Sequence, residues 1–261
     1  MALSFDIFRV VATHQFVEPV DARGLTKEGG SIFDGQESIP LMKYGVLFST
    51  TAILLLVTAA RNGGWAALSV WPALSFAIVA VGYFFVGPRV YGKSTAGELS
   101  WFNSVLLLPY LLCLRFVWHA VQLVKTEPAY DQLTDQIYIG RRLLAREFPA
   151  NIDHVVDLTC EFDEPRRVRA VDYHSMQILD GFVPTIQQLQ SWVAKVAEFE
   201  GTVYIHCAEG HGRTGLFATA LLVQLGQYSC TTEALKFVQS RRPRVRLSSR
   251  QHKSLAAFQV L

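Results

Sequence analysis

Two stretches of this chain carry no charge for long enough to restrict where it can fold. Residues 44–60 read YGVLFSTTAILLLVTAA, and residues 65–87 read WAALSVWPALSFAIVAVGYFFVG. A helix needs roughly 20 apolar residues to cross a bilayer. The second run meets that length and the first nearly does. Only RNGG lies between them, a tight turn that suits a helical hairpin. Trp and Tyr near the ends of the runs suit membrane interfaces. The apolar content of 51% is high for a soluble enzyme, and these runs are where the excess sits.

Residues 1–43 are mixed and polar. They have no basic leader and meet Asp6 early, so they do not read as a cleaved signal peptide. Residues 88–100 form a polar loop. Residues 101–124 are apolar in their first half and carry Arg115, His119 and Gln122 on one helical face in the second. They read either as a third span with its polar face in a bundle, or as a re-entrant or interfacial helix. Lys43, Arg89 and Lys93 flank one side of the hairpin and Arg61 alone flanks the other. The positive-inside rule then puts the N-terminus and the 88–100 loop in the cytoplasm. If 101–124 does not cross, the C-terminal half is cytoplasmic too. That placement is favoured, because Arg115 and His119 weaken a span and a working thiol suits a reducing compartment. The expected organisation is a polar segment 1–43, membrane helices over 44–125 and a soluble domain over 126–261, in an integral membrane protein.

In the last of these, short apolar runs at 136–140, 154–158 and 170–176 alternate with helical patterns at 185–199, 215–226 and 231–242. A further helix starts near Ser248, and Thr231 is of a type that caps a helix. Strand–helix alternation gives an α/β domain with a central, largely parallel sheet flanked by helices. The net charge of +2 supplies no field for nucleic acid. Cys113, Cys160, Cys207 and Cys230 form no CxxC pair, so neither a disulfide framework nor a zinc site is expected. Cys160 and Cys230 read as core residues. Cys160 is also a candidate for a protective disulfide with Cys207.

Residues 202–215, TVYIHCAEGHGRTG, carry the chemistry. A buried strand ends at Cys207, where open α/β sheets bind ligands. Glycines in Ala208–Gly212 let backbone N–H groups turn toward an anion, and the next helix adds its N-terminal partial charge. Arg213 can grip two phosphate oxygens in a fork. Such a cradle favours the thiolate form of Cys207, a nucleophile aimed at bound phosphorus. A leaving alkoxide needs a proton. Asp180, in ILDGFVP, is the best donor. Asp172 is the runner-up, but it lies inside an apparent strand.

HCAEGHGRTG resembles the HCxxGxxR[ST]G signature of the cysteine-based protein tyrosine phosphatase superfamily. Residues 130–255, with LDGFVP upstream, look like its dual-specificity branch. The resemblance implies a phosphocysteine on Cys207. It implies that backbone amides at Ala208, Glu209, Gly210, His211, Gly212 and Arg213 bind the phosphoryl oxygens, with the Arg213 side chain. Thr214 would bond the sulfur and help it leave, His206 would brace the loop or merely fill core, and Asp180 would be the general acid. Gln251 is a candidate to orient the hydrolytic water, as a glutamine does in some relatives. No metal and no cofactor are implied. Relatives acting on polyphosphorylated inositol lipids often carry loop lysines where this chain has Ala208 and His211. With Glu209 also in the loop, a single phosphomonoester is the better match, unless Glu209 points away and pairs with a cation. The basic run 240–253 reads either as a contact for anionic lipid or as a solvated face with arginines tied to the fold.

The expectation is a membrane-anchored, cysteine-dependent phosphatase. Its substrate is a phosphorylated protein or a phospholipid monoester, with the anchor favouring lipid and the motif favouring protein. The alternative is a catalytically inactive phosphate-binding module at the membrane.

Overall fold

A polar or hydroxyl group in an apolar helix must find its partner within the helix or on a close neighbour. The first helices of the chain obey this. The computed structural model describes residues 39–260, with side chains from Lys43 on, so nearly all of the expected 1–43 segment lies outside the described residues. Helix α1 is Ile39–Asn62 and α2 is Val70–Val81, joined through a 3-10 turn, Gly64–Ser69. Thr51 and Thr58 donate to the carbonyls of Leu47 and Leu54 one turn back. Ser69 donates across the hairpin to the Leu55 carbonyl at 3.0 Å. The chain continues through a π turn, Gly82–Val86, and a 3-10 turn, Gly87–Tyr91. Lys43–Asn62 and Gly64–Tyr91 are each long and apolar enough to cross a bilayer. The inner side of the hairpin is aromatic: Phe48 packs on Phe76, Tyr83 and Tyr110.

Helix α3, Trp101–Leu106, and helix α4, Leu108–Val124, follow. One side of α4 faces the rest of the protein through Arg115, paired with Asp163, and through Trp118 and Gln122. Leu112, Phe116 and Leu123 remain exposed.

Beyond α4 lies the expected α/β architecture. Strands β1 (Tyr130–Gln132), β2 (Ile137–Arg141), β3 (His154–Asp157), β4 (Asp172–Ser175) and β5 (Val203–Cys207) make one sheet of order β1-β2-β5-β3-β4. All pairings are parallel except β1 with β2. β5 is central and wholly buried, as a doubly covered parallel strand must be. Its residues alternate between faces: Val203, Ile205 and Cys207 join one apolar cluster, Tyr204 the other. Helices α5 (Ile186–Ala197), α6 (Gly212–Gln224), α7 (Thr231–Arg241) and α8 (Ser249–Ala256) complete the layers. Helix α6 is buried from Arg213 to Val223, which makes it the centre of the larger core.

Two local expectations are corrected, and one strand is added. The antiparallel edge strand β1 was not anticipated, because YDQ is too short and polar to read as a strand. Helix α7 is capped by Cys230, whose side chain makes no cap bond, and Thr231 is the first helical residue. Cys230 is therefore at an exposed helix end and not in the core.

Candidate active site

β5 delivers Cys207 to the carboxyl end of the sheet. The loop that follows needs glycine at 210. Its φ is +74°, and a Cβ there would meet the Gly140 carbonyl carbon at 2.3 Å. This tight turn aims the Gly210 N–H at Cys207 Sγ, 3.3 Å away. Helix α6 then begins at Gly212, with His211 as its cap residue. A helix start carries first-turn amides without intrahelical partners and a positive end, and this one follows two residues after the Gly210 amide that meets the sulfur.

Arg213, in that first turn, is 3% exposed. Its Nη2 donates to Glu161 Oε1 at 2.7 Å, and its Nη1 to Glu161 Oε2 at 3.1 Å and to the Ile178 carbonyl at 2.8 Å. Burial opposes the charge on Arg213, and Glu161 with Asp180 more than restores it. For Glu161, burial raises the carboxyl pKa but Arg213 outweighs it, so the net shift is downward. Glu161 was not among the sequence candidates. The available signal was its place: an acidic residue just past the strand HVVD, at the same sheet end as Cys207. Nε of Arg213 and Oγ1 of Thr214 are buried without a hydrogen-bond partner among the described residues. Thr214 therefore makes no bond to the sulfur here, whose donor is Gly210.

Asp180 sits in a turn closed by Phe182 N–H donating to the Leu179 carbonyl at 2.9 Å. Its Oδ1 lies 3.3 Å from Arg213 Nη2. Although 56% of its side chain is open, the packed wall around the carboxyl desolvates it and raises its pKa. Arg213 opposes that rise and Glu161 adds to it.

The loop is held from outside the sheet. The Ala208 carbonyl accepts from Trp118 Nε1 at 2.9 Å. Glu209 points away from the sulfur, accepting from Gln122 at 3.1 Å and pairing with Lys125. His211 Nε2 meets Glu127 at 2.7 Å. The Gly210 carbonyl accepts from Arg242 Nε at 2.9 Å. Arg242 is almost fully buried and also pairs with Asp131, so this part of the basic run is structural.

The remaining candidates sort by position. Gln251 reaches the loop, its amide lying against Gly212, while its Oε1 accepts from Ser248 N–H in the cap of α8. His206 lies behind the loop, stacked on Tyr204. Both its ring nitrogens lack hydrogen-bond partners among the described residues, and burial lowers its pKa to about 4. It fills core as a neutral ring and makes no hydrogen-bonded brace. Cys160 is buried beside the site, its thiol directed at Glu161, and burial pushes its pKa well up. Asp172 is at the other end of the sheet, paired with His154.

Behind the loop lies a second charged group. Lys93 Nζ, fully buried, meets Asp157 Oδ2 at 2.5 Å and the Thr159 carbonyl at 3.0 Å. Asp157 also accepts from Tyr173 and Thr159. Two sets of side chains have ligand atoms spaced for a metal ion: His154, Asp172 and His174, and Asp157, Glu164 and His206. The first is at the sheet end opposite Cys207. The second already holds the Lys93 ammonium.

Residues 142–260 match the family model described as the dual specificity phosphatase catalytic domain. Among solved structures, Tk-PTP in its active form is 25% identical, with a TM-score of 0.44 over 49% of this chain and 95% of that one. PTPMT1, solved in complex with PI(5)P, is 19% identical, with a TM-score of 0.44 over 49% and 92%. Human DUSP28 is 16% identical, with a TM-score of 0.43 over 50% and 93%. No curated protein matches the chain.

Proposed function

Because residues 142–260 match the dual specificity phosphatase catalytic domain, we propose that the chain is a phosphatase of that type and hydrolyses phosphomonoesters through a phosphocysteine on Cys207. The observation that carries this is a convergence. Cys207 Sγ sits under the Gly210 amide, and Arg213, fixed by Glu161, brings Asp180 within 3.3 Å of the same guanidinium.

In the first step Cys207 attacks phosphorus and the bond to the leaving oxygen breaks. Asp180, as the carboxylic acid, protonates that oxygen. Arg213 and the loop amides bind the equatorial oxygens, where charge develops. In the second step water attacks phosphorus, the S–P bond breaks, and Asp180 takes the proton. The products are an alcohol or phenol and inorganic phosphate. The buried, unpartnered Thr214 hydroxyl is free to turn toward the departing sulfur.

Asp180→Asn tests the acid. With an alkyl phosphate, kcat should fall by roughly 10²–10⁴-fold, and with a p-nitrophenyl ester far less. The sign of the pH dependence follows from the raised pKa. The acid is competent below that pKa, so wild-type alkyl phosphatase activity falls as pH rises through it. Asp180→Asn loses that limb. A full rate on the alkyl ester would remove Asp180 from the mechanism.

The hairpin α1–α2 is proposed as a membrane anchor, with α4 lying along the membrane surface. The loop before α3 is tied to the catalytic domain by Lys93 and by Glu164 N–H donating to the Gly97 carbonyl. The far end of α4 is tied to the same domain by Gln122. A spanning α4 would need those ends on opposite sides of the bilayer. Lys43 and Arg89 at the domain end of the hairpin, against Arg61 at the other, favour a cytoplasmic catalytic domain. Lys93 drops out of that comparison, since its charge is buried against Asp157. In a Cys113→Ser background, exposed Cys230 should resist a membrane-impermeant maleimide in intact cells and react in inverted vesicles. The reverse pattern would put the domain outside.

A further inference from the structure

Resting on the phosphatase and anchor readings above, we infer that the substrate is a membrane lipid with a terminal phosphomonoester, taken at the bilayer surface. The argument starts from where the hairpin ends. Lys43–Asn62 is 20 residues long, about 30 Å at ~1.5 Å per residue. That matches a hydrocarbon core of about 30 Å.

One end of this helix is the turn at Asn62. The other is at the acid loop. A Cβ on Gly181, next to Asp180, would sit 3.4 Å from the Tyr44 ring. Tyr83, at the same end of the second apolar stretch, packs on Phe182 with ring centroids 6.1 Å apart. Tyr44 and Tyr83 also pack on each other at 5.5 Å. The end of the anchor and the acid loop therefore pack directly on each other. With the hairpin filling the hydrocarbon layer, Asp180 lies at headgroup level.

The other wall of the site repeats the arrangement. Trp118 and Gln122 of α4 hold the Ala208 and Glu209 backbone and side chain. On the same helix Leu112, Phe116 and Leu123 are 56%, 68% and 87% exposed. Apart from Leu225 and Val260, every exposed large apolar side chain among the described residues lies between Val46 and Val124. Apolar surface therefore flanks the phosphate cradle on two sides. A lipid phosphate sits at this level with its chains still in the apolar layer. A phosphorylated loop of a folded protein would have to enter between the cradle and the headgroups. Glu209, the one acidic side chain in the cradle loop, is paired with Lys125 and does not repel an anionic head.

The reaction leaves the lipid alcohol in the bilayer and releases phosphate to water. The P–O bond to the lipid breaks, its oxygen takes the Asp180 proton, and the water oxygen ends in phosphate. An alkyl alcohol is a poor leaving group, so this substrate needs the acid more than an aryl ester does.

The test uses the full chain in detergent micelles, with Cys207→Ser as control. The probes are dioleoyl phosphatidic acid, dioleoyl phosphatidylglycerophosphate, glycerol 3-phosphate, a phosphotyrosine peptide, a phosphothreonine peptide and p-nitrophenyl phosphate. Sharing a micelle raises effective concentration, so kcat/KM for a lipid should exceed that for glycerol 3-phosphate and both peptides by on the order of 100-fold. Cys207-dependent hydrolysis of p-nitrophenyl phosphate with peptide rates equal to or above the lipid rates overturns the lipid inference and leaves the phosphatase standing. The same holds if glycerol 3-phosphate matches the lipids. No Cys207-dependent release from any probe, p-nitrophenyl phosphate included, overturns the phosphocysteine reading and this inference together.

Discussion

Cys207→Ser should remove turnover while leaving the phosphate cradle able to bind. A serine hydroxyl ionises far less readily than a thiol, so in this position it is a poor nucleophile at neutral pH. Losing the nucleophile of a covalent mechanism should lower kcat by on the order of 10⁴-fold or more. Binding should survive, because Arg213 and the loop amides do not depend on the sulfur. The Gly210 N–H that meets Sγ at 3.3 Å keeps an acceptor in the serine oxygen. Stabilisation by saturating inorganic phosphate, roughly 2.7 kcal/mol at a hundred times Kd, should therefore be similar in both proteins when read as a shift in Tm. The nucleophile is the cleaner target than the arginine. Arg213→Ala would strand the buried Glu161 carboxylate and confuse catalysis with folding. Turnover in Cys207→Ser within tenfold of wild type would take Cys207 out of the reaction.

The second large effect is expected far from the reacting atoms. Lys93→Met should destabilise the protein by about 3–5 kcal/mol, because it strands a buried carboxylate. Lys93 and Asp157 are both fully buried, 2.5 Å apart. Burial alone would raise the Asp157 pKa, but the Lys93 charge and the surrounding hydrogen bonds outweigh it and hold it well below the usual carboxylate range. In the wild type this stability is fully present above an unfolded pKa of about 3.9 and is lost as pH falls through the lower folded value. In Lys93→Met the sign reverses. Asp157 is then unpaired and desolvated, so acid, by neutralising it, should narrow the gap between variant and wild type. Lys93→Met combined with Asp157→Asn should recover most of the loss. Chemical denaturation of the four proteins of the cycle at pH 5 and pH 8 measures both effects. A single-variant loss under 1 kcal/mol, or no recovery in the double variant, would show that the pair carries no such coupling.

That lysine also bears on the anchor. Lys93, Trp118, Gln122 and Lys125 all precede residue 142, where the family match begins. Each touches the sheet end or the cradle. The segment before the sheet, both its loop at Lys93 and its helix α4, thus supplies parts of the interior of the matched domain and of its loop support. A fragment beginning at residue 126 would lack the partner of Asp157 and the donor to Ala208.

The nucleophile, the arginine and the loop between them were legible because their chemistry is local. Strand, glycines, arginine and helix start follow one another within residues 202–215. Four strands were legible for a similar reason, since β2, β3, β4 and β5 read as short apolar or alternating runs. Asp180 was legible as an aspartate in a Gly- and Pro-containing turn after apolar residues. Glu161 was not, because nothing near it in the chain shows that Arg213, 52 positions later, will lie across from it. Lys93 was read as a charge flanking a membrane helix. Sequence neighbours cannot show that its ammonium folds under a sheet to meet a carboxylate 64 positions away. Glu209 was read with two possible directions, and Lys125 on a neighbouring segment decides between them.

By itself the sequence determined what depends on spacing along one segment: the long uncharged helices, the strand–helix alternation, and a cysteine and arginine sharing one loop. Only the tertiary structure decided what those parts face. It put Glu161 on Arg213, Lys93 under Asp157, and Tyr44 and Tyr83 against the acid loop. Burial and ion pairing between distant segments are properties of the packed chain. The helix and turn signals along the sequence hold the same value whatever lies across from them.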